Sequence, residues 1–295
     1  MWVSSASDAI DPADPLRKNG MIMTPFLKWA GGKRWFTQRY SHLLPKRYSR
    51  YIEPFLGSGS VFFHLQPQQA VLGDSNPDVI SAFQGMKEDW VQLRSRLLDH
   101  QRLHSNAHYY AVRSTVPDDK TEQAARIIYL NRACFNGIYR VNRHGVFNVP
   151  RGTRDTIVFD GEDFQAKAQL LQGAQIHLAD FESLIDDARD GDLVFADPPY
   201  TVRHNLNGFV KYNEKLFAWS DQERLAYALF RAYARGAKIV CTNANHSSIR
   251  ELYADRGFTL LDVSRFSPIS ASADSRKPFE ELVIISDPPR EGEER

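Results

Sequence analysis

The heptapeptide VFADPPY (194–200) ends a strand-like apolar run on an acid, two prolines and an aromatic ring. The prolines fix their own φ and bring no N–H, so Pro198 and Pro199 present carbonyls with no competing donors. Asp197 and the Pro198 carbonyl are then two acceptors beside the ring of Tyr200. That set suits a weak nucleophile. The exocyclic amine of a nucleobase is unreactive because its lone pair is delocalised into the ring. Accepting its two hydrogens localises the pair and aims it at an electrophile, while Tyr200 stacks on the base face. A plain strand-terminating turn uses the same residues, and the chain has one for contrast: ISDPPR (285–290) lacks the aromatic and leads into a charged tail.

The second group is EPFLGSGS (53–60). Gly57 and Gly59, after a strand and before a helix, let the backbone approach a nucleotide-like ligand closely. The full dinucleotide pattern GxGxxG is absent, and Glu53 just upstream disfavours a pyrophosphate. A cofactor bearing sulfonium and ammonium groups would welcome that carboxylate. Asp74 ends the next strand, where an acid takes both ribose hydroxyls of an adenosine cofactor. The third group surrounds NRACFNGIYRVNRHGVFNVPRG (131–152): Arg140, Arg143, Arg151 and, just beyond it, Arg154 are interleaved with Phe135, Tyr139 and Phe147. Arginines interleaved with aromatics supply phosphate neutralisation together with base contacts.

The elements that must position these groups alternate. RYIEPF reads as a strand, VFFHL opens a helix, AVLGDSN is a second strand ending on Asp74, and PDVISAFQGMK begins a helix with Pro77 in its first turn. This is the rhythm of a βαβ unit. Residues 86–165 break it with two helical stretches, WVQLRSRLLDH and TEQAARIIYLNRACF, and a hairpin with an Arg-rich tip. AQIHLAD, DLVFADPPY, AKIVCTNAN, FTLLDVS and ELVIIS supply further strands. SDQERLAYALFRAYARG is a helix expected to start on a capping box of Ser220 and Glu223 and to stop at Gly236. The resulting class is α/β, with a basic helix-and-hairpin domain inserted into the sheet domain. No internal repeat is visible.

Composition narrows the function classes. At 295 residues and 42% apolar, the chain can form a large core without staples. Its two cysteines, with no paired Cys/His spacing, predict no disulfide framework and no metal site. No basic-then-apolar leader and no membrane-length apolar run predict a cytoplasmic protein without a membrane partner. The net charge of +1 hides two basic blocks: seven Lys/Arg and no acid over 28–50, and six Arg and no acid over 126–154. Solvated faces are often basic, but next to the other two groups nucleic acid is the economical partner.

FLKWAGGK (26–33), EPFLGSGSVF (53–62), GDSNPDVI (73–80), the segment 131–152 and DPPY (197–200), in this order, resemble the Dam-type DNA adenine N6-methyltransferases. The resemblance runs from about Phe26 to Ile285. It implies a Rossmann-like methyltransferase sheet with an inserted, mostly helical target-recognition domain carrying a β-hairpin. It implies S-adenosyl-L-methionine as methyl donor and double-stranded DNA with a flipped adenine as substrate. Carried over by position, Trp29, Lys33, Glu53, Pro54, Phe55, Gly57, Gly59, Asp74, Asp180 and Asp197 contact the cofactor, and Asp197, Pro198, Pro199 and Tyr200 form the catalytic loop. Arg132, Asn136, Tyr139, Arg140, Asn142, Arg143, Asn148, Pro150 and Arg151 would face DNA. The expected organisation is a disordered arm (1–20), a catalytic domain (21–85 and 166–286), a target-recognition domain (86–165) and a flexible tail (287–295). GATC is the commonest target of such enzymes. The chain departs from the pattern at RGTRD (151–155) and TVRHNLNGFVKYN (201–213), which bear on the recognised sequence rather than on the chemistry.

Two other readings share these residues. A DNA-binding module that lost turnover would keep the fold, but the intact DPPY and glycine loop argue against it. A methyltransferase acting on cytosine, or on an amide in RNA or protein, shares the acceptor logic; Asp before PPY and the Arg-rich hairpin favour adenine in DNA. A monomer is expected, and a restriction or defence-system partner is compatible with the sequence.

Overall fold

A computed structural model describes residues 23–142, 145–202, 217–265 and 279–286. The strands are β1 (Tyr51–Glu53), β2 (Ala70–Asp74), β3 (Ala174–Leu178), β4 (Leu193–Ala196), β5 (Lys238–Ala244), β6 (Thr259–Arg265) and β7 (Phe279–Ile285). They form one sheet in the order β3-β2-β1-β4-β5-β7-β6. All pairings are parallel except those of β7, which runs antiparallel between β5 and β6. Every strand read from the sequence is present. The sheet is doubly wound, and its strand order reverses between β1 and β4, where a crevice opens beyond the carboxyl ends of the strands.

Period-two alternation assigns the two faces. Tyr51, Leu72, Phe195, Val240, Val283 and Ile285 enter one core. Their neighbours Ile52, Val71, Val194, Ile239, Leu282 and Ile284 enter the other. The helices on the first face include α1 (Arg34–Arg39), α2 (Ser60–Leu65), α3 (Pro77–Glu88), α4 (Trp90–Leu103), α5 (Asn106–Ser114) and α6 (Lys120–Ala133). Helix α7 (Phe164–Gln172) follows before β3. The second face is covered by α8 (Phe181–Asp186), α9 (Trp219–Ala234) and α10 (Ser247–Tyr253).

Asn76 caps α3 by accepting from the Asp78 N–H at 2.9 Å, with Pro77 in the first turn as expected. Helix α9 departs from expectation. Its N-cap is Ala218, two residues before Ser220; the Ala218 N–H donates to Asp221 at 2.8 Å, and Glu223 instead accepts from the Trp219 indole. A carboxylate three residues into the helix thus does the capping without a hydroxyl partner. Gly236, at φ +93°, ends the segment as its sequence predicts.

The expected boundary at 85/86 falls inside α3. Helix α6 is buried at every position from Ala124 to Ala133, and Ala124 and Ile128 share one core with Phe63, Phe83 and Met86. A helix buried all round must be covered on all sides, and its buried polar residues Arg126, Asn131 and Arg132 must find partners there. The inserted helices therefore form a layer continuous with the sheet's own helices. The expected arm at 1–20, Arg143, the segment 203–213 and the tail 287–295 lie outside the described residues.

Candidate active site

The carboxyl end of β4 delivers Asp197 into the crevice. Phe195 points to the first core, so Asp197, two residues on, shares that face. Cross-strand register puts Ala196 opposite Cys241, which brings Thr242 of β5 alongside Asp197. The Thr242 hydroxyl donates to Asp197 Oδ1 at 2.7 Å, and Lys33 Nζ meets the same oxygen at 2.8 Å. Among the described residues no hydrogen bond falls on Oδ2, nor on the carbonyl of Pro198. The Pro199 carbonyl accepts from Gln222 at 3.3 Å, and Gln222 accepts from buried Asn243. Pro199 is thus anchored from the α9 side, while Pro198 is buried beside it.

Lys33 is 3% exposed, and an ammonium so desolvated must be partnered. It donates to Gly31 O at 3.0 Å, pairs with Asp197 and lies 3.7 Å from Glu281. Tyr200 hydrogen-bonds Glu281 Oε2 at 2.5 Å, and the Lys33 ammonium lies 5.0 Å from its ring centre. Burial pushes the Asp197 carboxyl up from the ordinary range, with the Glu281 charge adding and Lys33 and Thr242 opposing. The Tyr200 hydroxyl is pushed well up by burial and by the same two carboxylates. Lys33, expected at the cofactor, is also the counter-ion of Asp197.

The glycine loop after β1 lies on the other side of the crevice. Gly57 (φ +48°) and Gly59 (φ +65°) are left-handed, and a Cβ on Gly57 would come within 2.8 Å of the Trp29 ring. Gly57 N–H donates to Asp74 Oδ2 and Asn76 N–H to Oδ1, each at 2.9 Å. Each carboxylate oxygen retains a lone pair for a further donor. Glu53 is buried, takes the Tyr51 hydroxyl at 2.9 Å, and has its carboxyl raised well above the usual range by burial. Pro54 and Phe55 continue the chain out of β1, and Phe55 stacks on Phe181 with centroids 5.2 Å apart. Asp180 caps α8 and pairs with Arg224 at 2.7 Å, so its carboxylate is engaged by protein.

The match to known proteins follows this geometry. The model of the D12 class N6 adenine-specific DNA methyltransferases matches residues 29–269. The chain belongs to that family. A type II methyltransferase of Lactococcus lactis subsp. cremoris is 34% identical over 280 residues, covering 92% of this chain and 98% of the relative. A type II methyltransferase of Methanocaldococcus jannaschii is 32% identical over 90% of this chain and 100% of its own length. The DNA adenine methylase of Escherichia coli K12 is 29% identical over 89% of this chain and 95% of its own.

In this D12 methyltransferase the residues expected to face DNA divide into three sets. Arg132 is 4% exposed. It forms a two-pronged pair with Glu162, both contacts at 2.7 Å, and also donates to the carbonyls of Phe26 and Ile157. It is occupied as a buried strut, because a guanidinium in this core needs all its donors satisfied. Tyr139 stacks on Trp29 at 4.8 Å and donates to Asp78 at 2.7 Å, tying the insertion to the glycine-loop side. Arg151 bonds His104 and pairs with Asp155 at 2.5 Å, holding the RGTRD segment against α4.

The remaining described residues lie along the hairpin and at its base. Val141 bridges Phe147, Asn142 N–H donates to Val146 O at 2.8 Å, and its side chain accepts from Val146 N–H. Exposed Arg140 donates to Asn148 Oδ1 at 3.0 Å across the two arms. Asn136, exposed at φ +56°, and Pro150 lie at the base, where the Pro150 carbonyl accepts from Phe135. Between this base and the FLKWAGGK segment opens a cavity of about 610 Å³, lined by Lys28, Arg34, Arg154, Ser58 and Asn136 among others. Burial and the neighbouring Arg154 hold the Lys28 ammonium below its usual range.

Sequence reasoning missed Glu281, Thr242 and Gln222. One signal was available for Glu281: it shares its strand face with buried Val283 and Ile285, where an acid needs a partner. Among the described residues no cluster of His, Cys, Asp or Glu is arranged to hold a metal, and no helix is long and apolar enough to cross a membrane.

Proposed function

We propose that this DNA adenine methyltransferase takes S-adenosyl-L-methionine as donor and acts on an adenine turned out of double-stranded DNA. The observation that carries the reading is the meeting, at one strand-order reversal, of a glycine loop after β1 and an acid corner after β4 where, among the described residues, Asp197 Oδ2 and the Pro198 carbonyl accept no hydrogen bond. Residues present fit the donor: the left-handed Gly57 and Gly59 keep the loop backbone bare, since a Cβ on Gly57 would meet Trp29 and one on Gly59 would meet Phe83, and three carboxyls (Glu53, Asp74, Asp197) line the strand ends. A cation placed among these carboxyls favours their ionised forms, whereas a pyrophosphate would oppose them. Asp74 offers its remaining lone pairs to ribose hydroxyls, while Trp29 and Phe55 present apolar faces. Asp180 joins the site by capping α8 and orienting Arg224 rather than as a free carboxylate.

When bound, the donor supplies a sulfonium methyl, electrophilic because the sulfur leaves as a neutral thioether. The protein prepares the nucleophile. Asp197 Oδ2 and the Pro198 carbonyl accept the two N6 hydrogens, which returns the amine lone pair to nitrogen. Lys33 and Thr242, both on Oδ1, fix the rotation of the carboxylate so that Oδ2 faces the base. Pro199 is held by Gln222, and the Tyr200 ring stacks on the base, offsetting a few kcal/mol of unstacking. After the methyl has moved, the N6 proton passes to Asp197, whose carboxyl burial has made more basic. Arg140, Asn142 and Asn148 meet the DNA groove, with Asn136 and Pro150 at the hairpin base and the Lys28–Arg34–Arg154 cavity neutralising phosphates.

The test is transfer of a labelled methyl group to an adenine-containing duplex by wild type and by Asp197→Ala. Loss of at least about a thousandfold in kcat is expected, with donor binding retained by calorimetry. Wild-type turnover in the variant refutes the role of Asp197. Mapping methylated bases on a random-sequence plasmid reads the target site in the same preparation, and recovery of N6-methyladenine within GATC is the expected outcome.

A further inference from the structure

Glu281 lies outside every motif that marks this family in the sequence, on the antiparallel strand β7, yet it is 6% exposed and reaches the acid corner. Register explains how. Glu281 pairs with Ala244 at the carboxyl end of β5, two residues beyond Thr242, so β5 and β7 bring Thr242 and Glu281 to the same rim. Glu281 accepts the Tyr200 hydroxyl at 2.5 Å and lies 3.7 Å from Lys33 Nζ. Lys33 in turn holds Asp197 at 2.8 Å and covers Tyr200 at 5.0 Å from its ring centre. One buried cation is thus shared by two carboxylates, each tied to a different part of the DPPY loop.

We propose that Glu281 is a positioning residue for methyl transfer: it fixes the Tyr200 ring through its hydroxyl and shares the Lys33 ammonium with Asp197. Two consequences follow from charge and geometry. Without the acceptor, the hydroxyl of Tyr200 loses a buried partner and the ring loses its fixed tilt beneath the base. Without the second negative charge, Lys33 is left to Asp197 alone, which favours the ionised carboxylate and weakens it as a proton acceptor. The acid-corner geometry therefore depends on a strand that follows the catalytic motif by about eighty residues.

The inference rests on the proposed role of Asp197, and the experiment separates the two. Glu281→Gln keeps an oxygen that accepts from Tyr200 but removes the charge; Glu281→Ala removes both; Tyr200→Phe removes the hydroxyl and keeps the ring. Single-turnover methyl transfer is measured against pH for wild type and each variant. Glu281→Gln is expected to lower the rate on the order of tenfold and to move the acid limb of the profile down by about half a unit or more, because a neighbouring negative charge is gone. Glu281→Ala is expected to lose on the order of a hundredfold, with donor affinity by calorimetry changed by less than about threefold. The Glu281→Ala/Tyr200→Phe double variant should lose less than the product of the single losses, since both remove one bond. A Glu281→Gln enzyme with wild-type rate and pH profile overturns the proposal, as do fully multiplicative losses in the double variant. If Asp197→Ala itself turns over normally, the underlying reading of the corner fails instead.

Discussion

Two arginines of the insertion, eight residues apart, show how differently the protein treats the same side chain. Arg132 is buried, with its donors taken by Glu162 and by the carbonyls of Phe26 and Ile157. Arg140 is exposed at the hairpin, with one bond to Asn148. The acid corner resembles the first case: Lys33, Asp197, Thr242, Tyr200 and Glu281 hold one another at 2.5–3.7 Å within the protein. The hairpin follows the second, with Arg140 and, at its base, Asn136 exposed to solvent. Chemistry on a poor nucleophile needs groups already fixed before the substrate arrives. Groove reading needs side chains that exchange water for bases and phosphates.

Substitutions sharpen this contrast. Arg132→Ala leaves Glu162 as a buried carboxylate beside Lys167 alone and is expected to destabilise the fold by about 3–5 kcal/mol, read by denaturant unfolding. A small change there would mean that the buried pair is not a strut. Arg140→Ala is expected to leave unfolding unchanged and to weaken binding to the preferred duplex by about 1–3 kcal/mol, read by titration at fixed salt. Were Arg140→Ala to unfold the protein while Arg132→Ala only weakened DNA binding, the comparison would be reversed.

The interior of the insertion supplies the smallest expected effect. Unlike the acid corner, it packs neutral imidazoles. His100 and His108 share a hydrogen bond of 3.0 Å, His100 stacks on Tyr129, and His104 bonds the Tyr129 hydroxyl at 2.8 Å, with Arg151, Asp155, Asp99 and Arg96 around them. Burial, followed by the neighbouring His108, lowers His100 to about 4, and burial lowers His104 and His108 as well. The folded state then binds fewer protons than the unfolded chain between pH 6.5 and 4. Stability present above pH 6.5 is lost as pH falls through that window, on the order of 2 kcal/mol after solvent screening. Unfolding midpoints of wild type and His100→Gln at pH 7 and pH 5 measure it; the variant should lose less on acidification.

Much of the site was legible because its signals are local. A strand ending on Asp197 before two prolines, and glycines at 57 and 59 before a helix, are read from neighbouring residues. Glu281 was not, since only the β5–β7 register carries it to Tyr200. Arg132 looked like a DNA contact for a related reason: composition shows an arginine among aromatics but not whether it faces solvent or Glu162. The capping of α9 by Asp221 instead of Ser220 shows the same limit at one-residue scale.

The sequence by itself determined the alternation of strands and helices, the glycine loop, the acid corner and the family to which they belong, because each is written in contiguous residues and in period-two or helical patterning. Only the tertiary structure decided which charges meet. Desolvation forces every buried ion to find a partner, and the partners of Lys33, Arg132 and Tyr200 come from strands and loops far along the chain that only sheet register and helix packing bring within hydrogen-bond reach.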